Sequence, residues 1–255
     1  CNFRCVFCYQ TDKTLTKKIN GHMGFIDIDL FKNIVDQAEG NIEFVTLASR
    51  GEPTLHPKFP ELMEYLRDKF IGFKINTNAS RLTESKCHDI LKSGSSTVVF
   101  SADAASEPLY SKMRVGGKLE QTLRNIDNFN SIRSKHYPDS RTITRVSGVK
   151  FSKDQKIKDM EKTWGGVVDQ VAFVEYNPWE NVYDSKFSEV ETPCSDLWRR
   201  MFVWWDGKAN PCDVDYLSTM KVGNISDISI QDLWRSQGYA KYSKKHLSLD
   251  RDKIE

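Results

Sequence analysis

Short apolar segments rich in Val, Ile and Phe alternate with segments of helical periodicity between Asp27 and Tyr176. This alternation is typical of a parallel sheet built from βα units. The five predicted strands are Ile42–Ala48, Ile71–Thr77, Thr97–Ser101, Ile143–Phe151 and Val167–Tyr176. The pattern therefore predicts an α/β body with one parallel sheet.

Between these strands, apolar residues recur at three- and four-residue spacing, as one buried face of a helix requires. Three such stripes are Leu30/Phe31/Ile34/Val35/Ala38, Phe59/Leu62/Met63/Leu66 and Leu119/Leu123/Ile126/Phe129. Cys87 lies with Ile90 and Leu91 on a similar face, so it is predicted to be a small buried hydrophobe without a chemical role.

A Trp-rich segment of different character begins near Glu180. Within it, Asp206-Gly207 separates two strand-like runs, Met201–Trp205 and Lys208–Cys212. Asp-Gly in this setting is a strong signal for a β-hairpin. The sequence thus predicts a small α+β appendage after the α/β body.

A short helix through Ile230 and Leu233 is predicted to complete this appendage, with Asp227 or Ser229 as its N-cap. The domain boundary is predicted near residue 185, which gives one domain over residues 1–185 and another over residues 186–255.

The appendage contains four Trp residues for which the sequence predicts different surroundings. Trp204 and Trp205 are adjacent in a predicted strand and point to opposite faces, so at most one of them lines a substrate site. Trp198 and Trp234 are predicted to fill the small core of the appendage.

The charge balance excludes several classes of partner. With 37 basic and 35 acidic residues the formal net charge is +2, and no Lys/Arg block is long enough for a nucleic-acid-binding arm. No apolar run approaches the roughly 20 residues of a membrane helix, and the first residues do not resemble a secretory signal. The expectation is a cytoplasmic protein that binds neither nucleic acid nor membrane.

Both ends of the sequence are unusual for a complete chain. It opens on Cys1 without an initiator Met, and it closes on Glu255 without a terminating signal. We expect a fragment of a longer protein.

Three of the six cysteines, Cys1, Cys5 and Cys8, fall within the first eight residues. This crowding indicates a metal site in a reducing compartment rather than a disulfide scaffold. A structural zinc site needs a fourth ligand, and His22 lies outside the usual spacing. Electron-carrying ferredoxins use four cysteines at other spacings. A non-catalytic zinc or iron–sulfur protein remains an alternative from these residues alone.

The spacing C-x-x-x-C-x-x-C resembles the signature of the radical S-adenosylmethionine (SAM) superfamily. The resemblance implies a [4Fe–4S] cluster held by Cys1, Cys5 and Cys8, with the fourth iron open to the amino and carboxylate groups of SAM. It also implies reductive cleavage of SAM to a 5′-deoxyadenosyl radical, so the cofactor carries the difficult chemistry.

The fold implied by the resemblance is a partial (β/α)₆ TIM-like barrel whose first strand precedes the cysteine loop. That strand is missing from this chain, and five visible strands plus one make six. Ser49–Pro53 is similar to the Gly-Gly-Glu motif of the family, with Arg50 in place of the first Gly. The resemblance makes Glu52 the acceptor for the methionyl ammonium of SAM, which would be a charge-assisted contact.

Other positions of the family pattern match single residues of this chain. The resemblance places the backbone of Phe7 at the adenine and Asn78 at a ribose hydroxyl. It places Ser101 and Arg145 at the methionyl carboxylate, with Glu175 as a weaker candidate. Ends of strands are where α/β barrels build their sites, although each of these residues also suits ordinary turn or cap chemistry.

In the appendage, the spacing of Cys194, Gly207 and Cys212 resembles the start of the SPASM or twitch extension of the superfamily. This implies that Cys194 and Cys212 are ligands of auxiliary [4Fe–4S] clusters completed by residues beyond the chain end; the alternative is that both are structural. Asp213 follows Cys212 as in sulfatase-maturing relatives, where the acid is the catalytic base, and the alternative for it is a structural hairpin carboxylate.

The implied reaction is abstraction of a hydrogen atom, followed by oxidation or rearrangement of the substrate. A peptide or protein side chain is the leading substrate class, and dehydrogenation or epimerisation of a sugar or cyclitol is the alternative. A reducing partner such as flavodoxin or ferredoxin is also implied.

Overall fold

The computed structural model describes residues 1–17, 20–179, 182–184 and 192–250. Contacts between Cα atoms divide the chain into two compact units, one of Cys1–Thr11 and Glu39–Pro178, the other of Asp12–Ala38 and Trp179–Glu255. The boundary predicted near residue 185 lies outside the described residues and stays a prediction.

The strands of the first unit form two sheets. In chain order they are β1 (Arg4–Cys5), β2 (Phe44–Leu47), β3 (Gly72–Thr77), β4 (Thr97–Ser101), β5 (Arg114–Val115), β6 (Ile143–Lys150) and β7 (Gln170–Glu175). Strands β2, β3, β4, β6 and β7 form one parallel sheet in that order, and β1 pairs with β5 in a separate ladder. All five strands predicted from the sequence are present, each within three residues of its predicted ends.

Nine α-helices lie in the described part of the chain. They are α1 (Lys13–Thr16), α2 (Ile28–Ala38), α3 (Phe59–Leu66), α4 (Glu84–Lys92), α5 (Glu107–Met113), α6 (Leu119–His136), α7 (Ile157–Gly165), α8 (Ile230–Arg235) and α9 (Gln237–Leu247). None of them is long and apolar enough to cross a membrane.

The two faces of the parallel sheet differ in polarity. Residues paired across parallel strands point to the same side, and residues two apart along a strand share a face. One face is apolar and fully buried, with Ile75, Val98, Phe100 and Val146 at its centre. The ring of Phe100 meets that of Phe129 on α6 at 5.8 Å, so helices cover this face. Cys87 on α4 is also fully buried, as predicted.

The other face of the sheet carries polar side chains. Asn76, Val99, Arg145 and Gln170 form one row across β3, β4, β6 and β7. Ser101 pairs with Ser147 two residues further along the same face. Most of these side chains are only half-buried, so this is the face on which a polar ligand can be bound.

The second unit contains the predicted hairpin. Strands β8 (Phe202–Val203) and β9 (Lys208–Asn210) pair antiparallel, and β10 (Gly223–Asn224) extends the sheet beside β9. Gly207 in the turn has φ +80°, and a Cβ there would lie 2.4 Å from Oδ1 of Asn224. Glycine is therefore required at this position.

Helix α2 belongs to the second unit, although the sequence-based division groups it with residues 1–185. Its Ile34 packs against the small core formed by Ala209, Ile225 and Leu233. Its Gln37 also accepts a hydrogen bond from the backbone N–H of Ile230 at 2.7 Å. These contacts explain why residues 12–38 group with the C-terminal segment.

The prediction for Trp198 and Trp234 was wrong. Their exposed fractions are 43% and 37%, whereas the preceding residues Leu197 and Leu233 are 4% and 1% exposed. Each Leu takes the core position, and the next residue along a helical turn is rotated away from it. At the start of α8, Ser229 rather than Asp227 is the N-cap, since its Oγ accepts from the N–H of Asp232 at 3.1 Å.

Candidate functional site

The cysteine segment is attached to the first unit by backbone pairing. In the β1–β5 ladder Arg4 lies opposite Val115 and Cys5 opposite Arg114. The N–H of Val6 also donates to the carbonyl of Met113 at 3.0 Å. Contacts between neighbouring residues in the sequence do not determine this placement, because the paired residues are more than a hundred positions apart.

The ring of Phe3 also packs closely against the backbone after β5, which completes the attachment of the cysteine segment. Phe3 is only 3% exposed. A Cβ at Gly117 would lie 2.8 Å from Cε2 of Phe3, and Gly116 has φ +95°. Two consecutive glycines thus let Phe3 pack directly against the chain after β5.

Cys1, Cys5 and Cys8 are free and half-buried, and each sulfur accepts one hydrogen bond from an N–H group. Nδ2 of Asn78 donates to Cys1 at 3.6 Å, and Nη1 of Arg114 donates to Cys5 at 3.9 Å. The backbone N–H of Gln10 donates to Cys8 at 3.5 Å. Such donors stabilise negative charge on sulfur, which is what thiolate ligands of an iron–sulfur cluster carry.

The donor set of Cys1, Cys5 and Cys8 supplies one thiol for each of three irons of a [4Fe–4S] cluster. Among the described residues, no group of three or more His, Cys, Asp or Glu side chains converges on one metal ion. The thiolates of a [4Fe–4S] cluster each bind a different iron, so they surround the cluster without meeting at one point. The three sulfurs with their N–H donors suit this arrangement.

Burial opposes the thiolate form of these cysteines before a metal binds. It raises the pKa of the Cys5 thiol to about 11, against the opposing effect of Arg114. It also raises the pKa of Cys8, against the hydrogen bond from Gln10. Coordination deprotonates a thiol outright, so loading of the site is expected to release protons.

The cysteine segment is joined to the loop that follows β2. The hydroxyl of Tyr9 donates to the carbonyl of Ser49 at 2.7 Å, and Nε2 of Gln10 lies 3.4 Å from the carbonyl of Arg50. Ser49 has φ +76°, a conformation that few non-glycine residues adopt. These bonds bring the Ser49–Pro53 motif beside the cysteines.

Glu52, in this motif, is a buried carboxylate with an exposed fraction of 6%. Its Oε1 accepts from the N–H and Oγ1 of Thr54 and from Oγ1 of Thr77, at 3.1, 2.6 and 2.7 Å. Within the described residues, its Oε2 accepts a single hydrogen bond, from the N–H of Asn78 at 2.6 Å. Since a carboxylate oxygen has two lone pairs, Oε2 keeps capacity for a further cationic donor.

Asn78 lies directly after β3, and its side-chain amide makes most of its possible hydrogen bonds within the chain. Its Nδ2 donates to Oδ1 of Asn2 at 3.0 Å as well as to Cys1, and its Oδ1 accepts from the N–H of Ser80 at 2.9 Å. A ribose hydroxyl would therefore have to donate to Oδ1. The predicted ribose contact of Asn78 stays a prediction.

Ser101 and Arg145 lie on the polar face of the sheet, two residues apart in register. The guanidinium of Arg145 is held by Oε1 of Gln170, at 3.0 Å from Nε. Glu175 is exposed and pairs with Lys150 at 2.7 Å. The face places Ser101 and Arg145 together, but a role toward SAM stays a prediction for both residues.

Phe7 has a half-buried ring that lies 5.6 Å from the ring of Phe151. Oε1 of Gln10, Oγ of Ser49 and Oδ1 of Asn76 are buried without a hydrogen-bond partner within the described residues. Buried polar atoms are normally satisfied, so these three indicate room for a bound polar group.

One feature of the site escaped the sequence reasoning, namely a buried ion pair beside Cys5. Nε of Arg114 lies 2.5 Å from Oδ2 of Asp103, and the two side chains are 7% and 0% exposed. The available signal was a lone Arg within the apolar run Met113–Val115, followed by two glycines. It could not be interpreted without the pairing of β1 with β5.

In the second unit, Cys194 is exposed and Cys212 is half-buried, and both are free thiols. Burial raises the pKa of Cys212 to about 11, and negative charge at Asp213 and Cys194 adds to this effect. The N–H of Cys194 donates to Nδ1 of His246 at 3.2 Å. The two cysteines thus share one electrostatic environment.

Asp213 is a half-buried carboxylate in this environment. Burial raises its pKa, the nearby Asp196 raises it further, and Arg200 opposes the shift. A carboxyl with a raised pKa is a better proton acceptor than an ordinary one. This arrangement is suitable for a base, and the role itself stays a prediction.

Comparison with known proteins agrees with these features. The sequence profile of the Radical SAM superfamily matches residues 1–162, and that of an iron-sulfur cluster-binding domain, SPASM, matches residues 194–254.

Two curated relatives match part of the chain. The tungsten-containing aldehyde ferredoxin oxidoreductase cofactor-modifying protein of Pyrococcus furiosus is 30% identical over 40% of the chain. The mycofactocin maturase MftC of Mycobacterium tuberculosis is 27% identical over 50% of it. The aligned segments cover only 28% and 31% of the length of these relatives.

Among solved structures, SuiB of Streptococcus suis bound to the precursor peptide SuiA superposes with a TM-score of 0.73 at 17% identity. The alignment covers 95% of this chain and 64% of SuiB. This likeness confirms the predicted α/β fold, a partial TIM-like barrel with a small C-terminal appendage. Because the first profile spans most of the chain and includes Cys1, Cys5 and Cys8, the chain belongs to the radical SAM superfamily and carries a SPASM domain.

Proposed function

We propose that the protein is a radical SAM enzyme that abstracts a hydrogen atom from a peptide or protein side chain and oxidises or otherwise modifies it. The observation that carries the proposal is the set of three cysteine sulfurs, each with an N–H donor, linked through Asn78 to the buried carboxylate of Glu52. When bound, the [4Fe–4S] cluster and SAM supply a 5′-deoxyadenosyl radical.

The residues of this chain then have separate tasks. Cys1, Cys5 and Cys8 hold the cluster. Glu52 accepts the ammonium of SAM at Oε2, its less occupied oxygen. Ser101 and Arg145, on one face of the sheet, bind the carboxylate of SAM. The backbone at Phe7 contacts the adenine and Asn78 the ribose.

A peptide substrate is supported by the character of the relatives. MftC is a maturase, and SuiB is seen bound to its precursor peptide. We infer that this chain also acts on a peptide or protein.

Oxidation of the substrate needs one more proton and one more electron to leave after hydrogen abstraction. Asp213 takes the proton, which its raised pKa favours. Cys194 and Cys212 would hold an auxiliary iron–sulfur cluster of the SPASM domain, which would supply an acceptor for the electron. The products are then methionine, 5′-deoxyadenosine and a substrate that has lost two hydrogens.

We place the protein in the cytoplasm with a flavodoxin- or ferredoxin-type reductant. Its cysteines are free, and a reducing compartment keeps them so.

The first experiment tests radical initiation. Protein reconstituted anaerobically with iron and sulfide is given dithionite and SAM, and 5′-deoxyadenosine is quantified. We expect product with the wild type and with Cys87→Ala, which removes a buried thiol of α4, and none with Cys1→Ala, Cys5→Ala or Cys8→Ala. Absence of 5′-deoxyadenosine from a fully loaded wild type would reject the enzymatic function.

The second experiment tests the substrate class. The reaction is run with a uniformly deuterated peptide mixture and, in parallel, with a mixture of deuterated monosaccharides. Deuterium in 5′-deoxyadenosine from the peptides alone supports the proposal. Transfer from the sugars alone would replace the peptide with a carbohydrate, and unlabelled 5′-deoxyadenosine in both reactions would remove the peptide proposal while leaving radical initiation intact.

A further inference from the structure

Arg114 and Asp103 form a charged pair in the interior of the first unit. Arg114 directly follows α5 and begins β5, and Asp103 lies two residues beyond the end of β4. The β1–β5 ladder puts Arg114 directly opposite Cys5. The pair is thus built into the connection that attaches the cysteine segment.

Asp103 is fixed on every side. Its Oδ2 pairs with Nε of Arg114 at 2.5 Å, and its Oδ1 accepts from the N–H of Val149 at 2.6 Å. Its carbonyl accepts from Nε2 of Gln155 at 2.7 Å. The carboxylate therefore keeps the charge of the guanidinium beside it.

The guanidinium has donors left after this pairing. Nη1 lies 3.9 Å from Sγ of Cys5. The guanidinium carbon also lies 5.9 Å from the centre of the Phe7 ring, within range of a cation–π contact. One side of the cation thus faces a carboxylate and the other faces the cysteine segment.

A buried ion pair is weak support for stability alone. Desolvation of two charges offsets much of their attraction, and well-packed apolar residues often replace such a pair at no loss. The orientation of Arg114 toward a sulfur points to a use beyond folding.

We propose that Arg114, held in the interior by its ion pair with Asp103, is a positioning residue that holds the Cys5 thiolate and raises the reduction potential of the [4Fe–4S] cluster. The inference rests on the proposed function, since it requires Cys5 to be a cluster ligand. Reduction adds one negative charge to the cluster. A fixed cation and an N–H donor at a ligating sulfur stabilise the reduced form more than the oxidised form, which makes reduction easier.

Two variants distinguish the proposed role of Arg114 toward Cys5 from a role in which it only compensates the buried negative charge of Asp103. Arg114→Lys keeps a cation for Asp103 but lacks a second nitrogen for Cys5. The double variant Asp103→Asn/Arg114→Gln removes both charges, so neither partner is left as an unpaired buried ion. The matched control is Arg133→Lys, because Arg133 on α6 forms a similar pair with Asp169, 2.5 Å from Nη1 to Oδ2.

The potential is measured by anaerobic redox titration followed by electron paramagnetic resonance, with iron content and the melting temperature of the apo form measured alongside. Auxiliary clusters are excluded by using Cys194→Ala/Cys212→Ala as the common background. We expect a lower potential in Arg114→Lys, a still lower one in the double variant, and the parental value in Arg133→Lys.

Each of the other possible outcomes also supports or contradicts the proposal. A variant whose apo form melts like the parent but loads less iron supports the proposal, because only the hold on Cys5 was lost. Parental potential with full iron content in both variants overturns it, as does unfolding of both apo forms, which would make Arg114 a residue of the fold alone. A parent protein that binds no cluster at Cys1, Cys5 and Cys8 would reject the proposed function instead.

Discussion

Asn78 donates its backbone N–H to Oε2 of Glu52 at 2.6 Å while its side-chain amide donates to Sγ of Cys1 at 3.6 Å. One residue at the end of β3 therefore contacts both the loop after β2 and the cysteine segment. A displacement of Glu52 is therefore expected to move the backbone of Asn78 and, through the side-chain amide of Asn78, Cys1.

Glu52→Gln is expected to weaken SAM binding about tenfold to a hundredfold, because a charge-assisted hydrogen bond is worth roughly 1.5–3 kcal/mol. It also places an amide donor among the N–H and hydroxyl donors that now face the carboxylate, at a cost of about 1–3 kcal/mol in the free energy of unfolding. Calorimetric titration with SAM measures the first effect, and urea unfolding measures the second. Glu61→Gln, at an exposed position of α3, is the control, and an unchanged dissociation constant in Glu52→Gln would remove Glu52 from the SAM site.

Gly117→Ala is expected to lower the free energy of unfolding by about 1–3 kcal/mol, since the new Cβ overlaps the ring of Phe3 at 2.8 Å. The displaced Phe3 shifts the neighbouring cysteines, so iron content after reconstitution should also fall. The control is Gly165→Ala at the end of α7, where the nearest atom to a Cβ is Cγ2 of Val171 at 3.9 Å. Equal stability and iron content in the two variants would contradict the close packing of Phe3 on Gly117.

Asp213→Asn is expected to reduce the amount of modified substrate while 5′-deoxyadenosine formation continues, because the amide cannot accept the substrate proton. Both products are quantified in one reaction by mass spectrometry. Asp227→Asn changes an exposed acid of the same unit and should leave both yields intact. Parallel loss of both products in Asp213→Asn would count against a base and for a structural carboxylate.

Asp169→Asn should destabilise the protein in a pH-dependent manner. Hydrogen bonds from Arg133 lower the pKa of Asp169 from 3.8 to about 2. A lowered pKa means that the stabilisation is complete above the unfolded value of 3.8 and is lost as the pH falls through about 2. The side chain is 42% exposed, so solvent screening limits the effect to about 1 kcal/mol at pH 7.

The measurement for Asp169 is the free energy of unfolding in urea at pH 7 and near pH 3, for the wild type and for Asp169→Asn. The difference between the two proteins should shrink at the lower pH. Asp127→Asn on α6 alters an exposed acid and is the control. A difference that stays constant with pH would mean that the Asp169–Arg133 pair contributes through packing and not through charge.

Much of the first unit was predictable because the strands are short apolar runs whose period is visible in the sequence. The differences lie mainly at the strand ends: the sequence places Val167 in β7, but its N–H donates to the carbonyl of Trp164 in the turn that follows α7. The crowding of three thiols within eight residues needs no long-range information, so the sequence alone indicates a metal site there; the role of Cys1, Cys5 and Cys8 as its ligands stays a prediction.

Features that depend on contacts distant in sequence were not predictable. The role of Arg114 follows from the pairing of β1 with β5, and no local pattern indicates that pairing. In the second unit, Leu233 and Trp234 are both large and apolar, and the sequence alone favours the larger one for the core. The close backbone approach at Gly223, where a Cβ would lie 2.5 Å from Leu233, selects the smaller side chain.

The β1–β5 ladder also bears on the order in which the molecule assembles. Cys5 and Arg114 are 109 positions apart, so their pairing closes a long loop, and the entropic cost of that closure is met by contacts made after the local elements α5 and β5 have formed. Contacts so distant in sequence are expected to form later in folding than local ones. A variant that weakens the β1–β5 ladder should therefore release the cysteine segment while the parallel sheet stays folded.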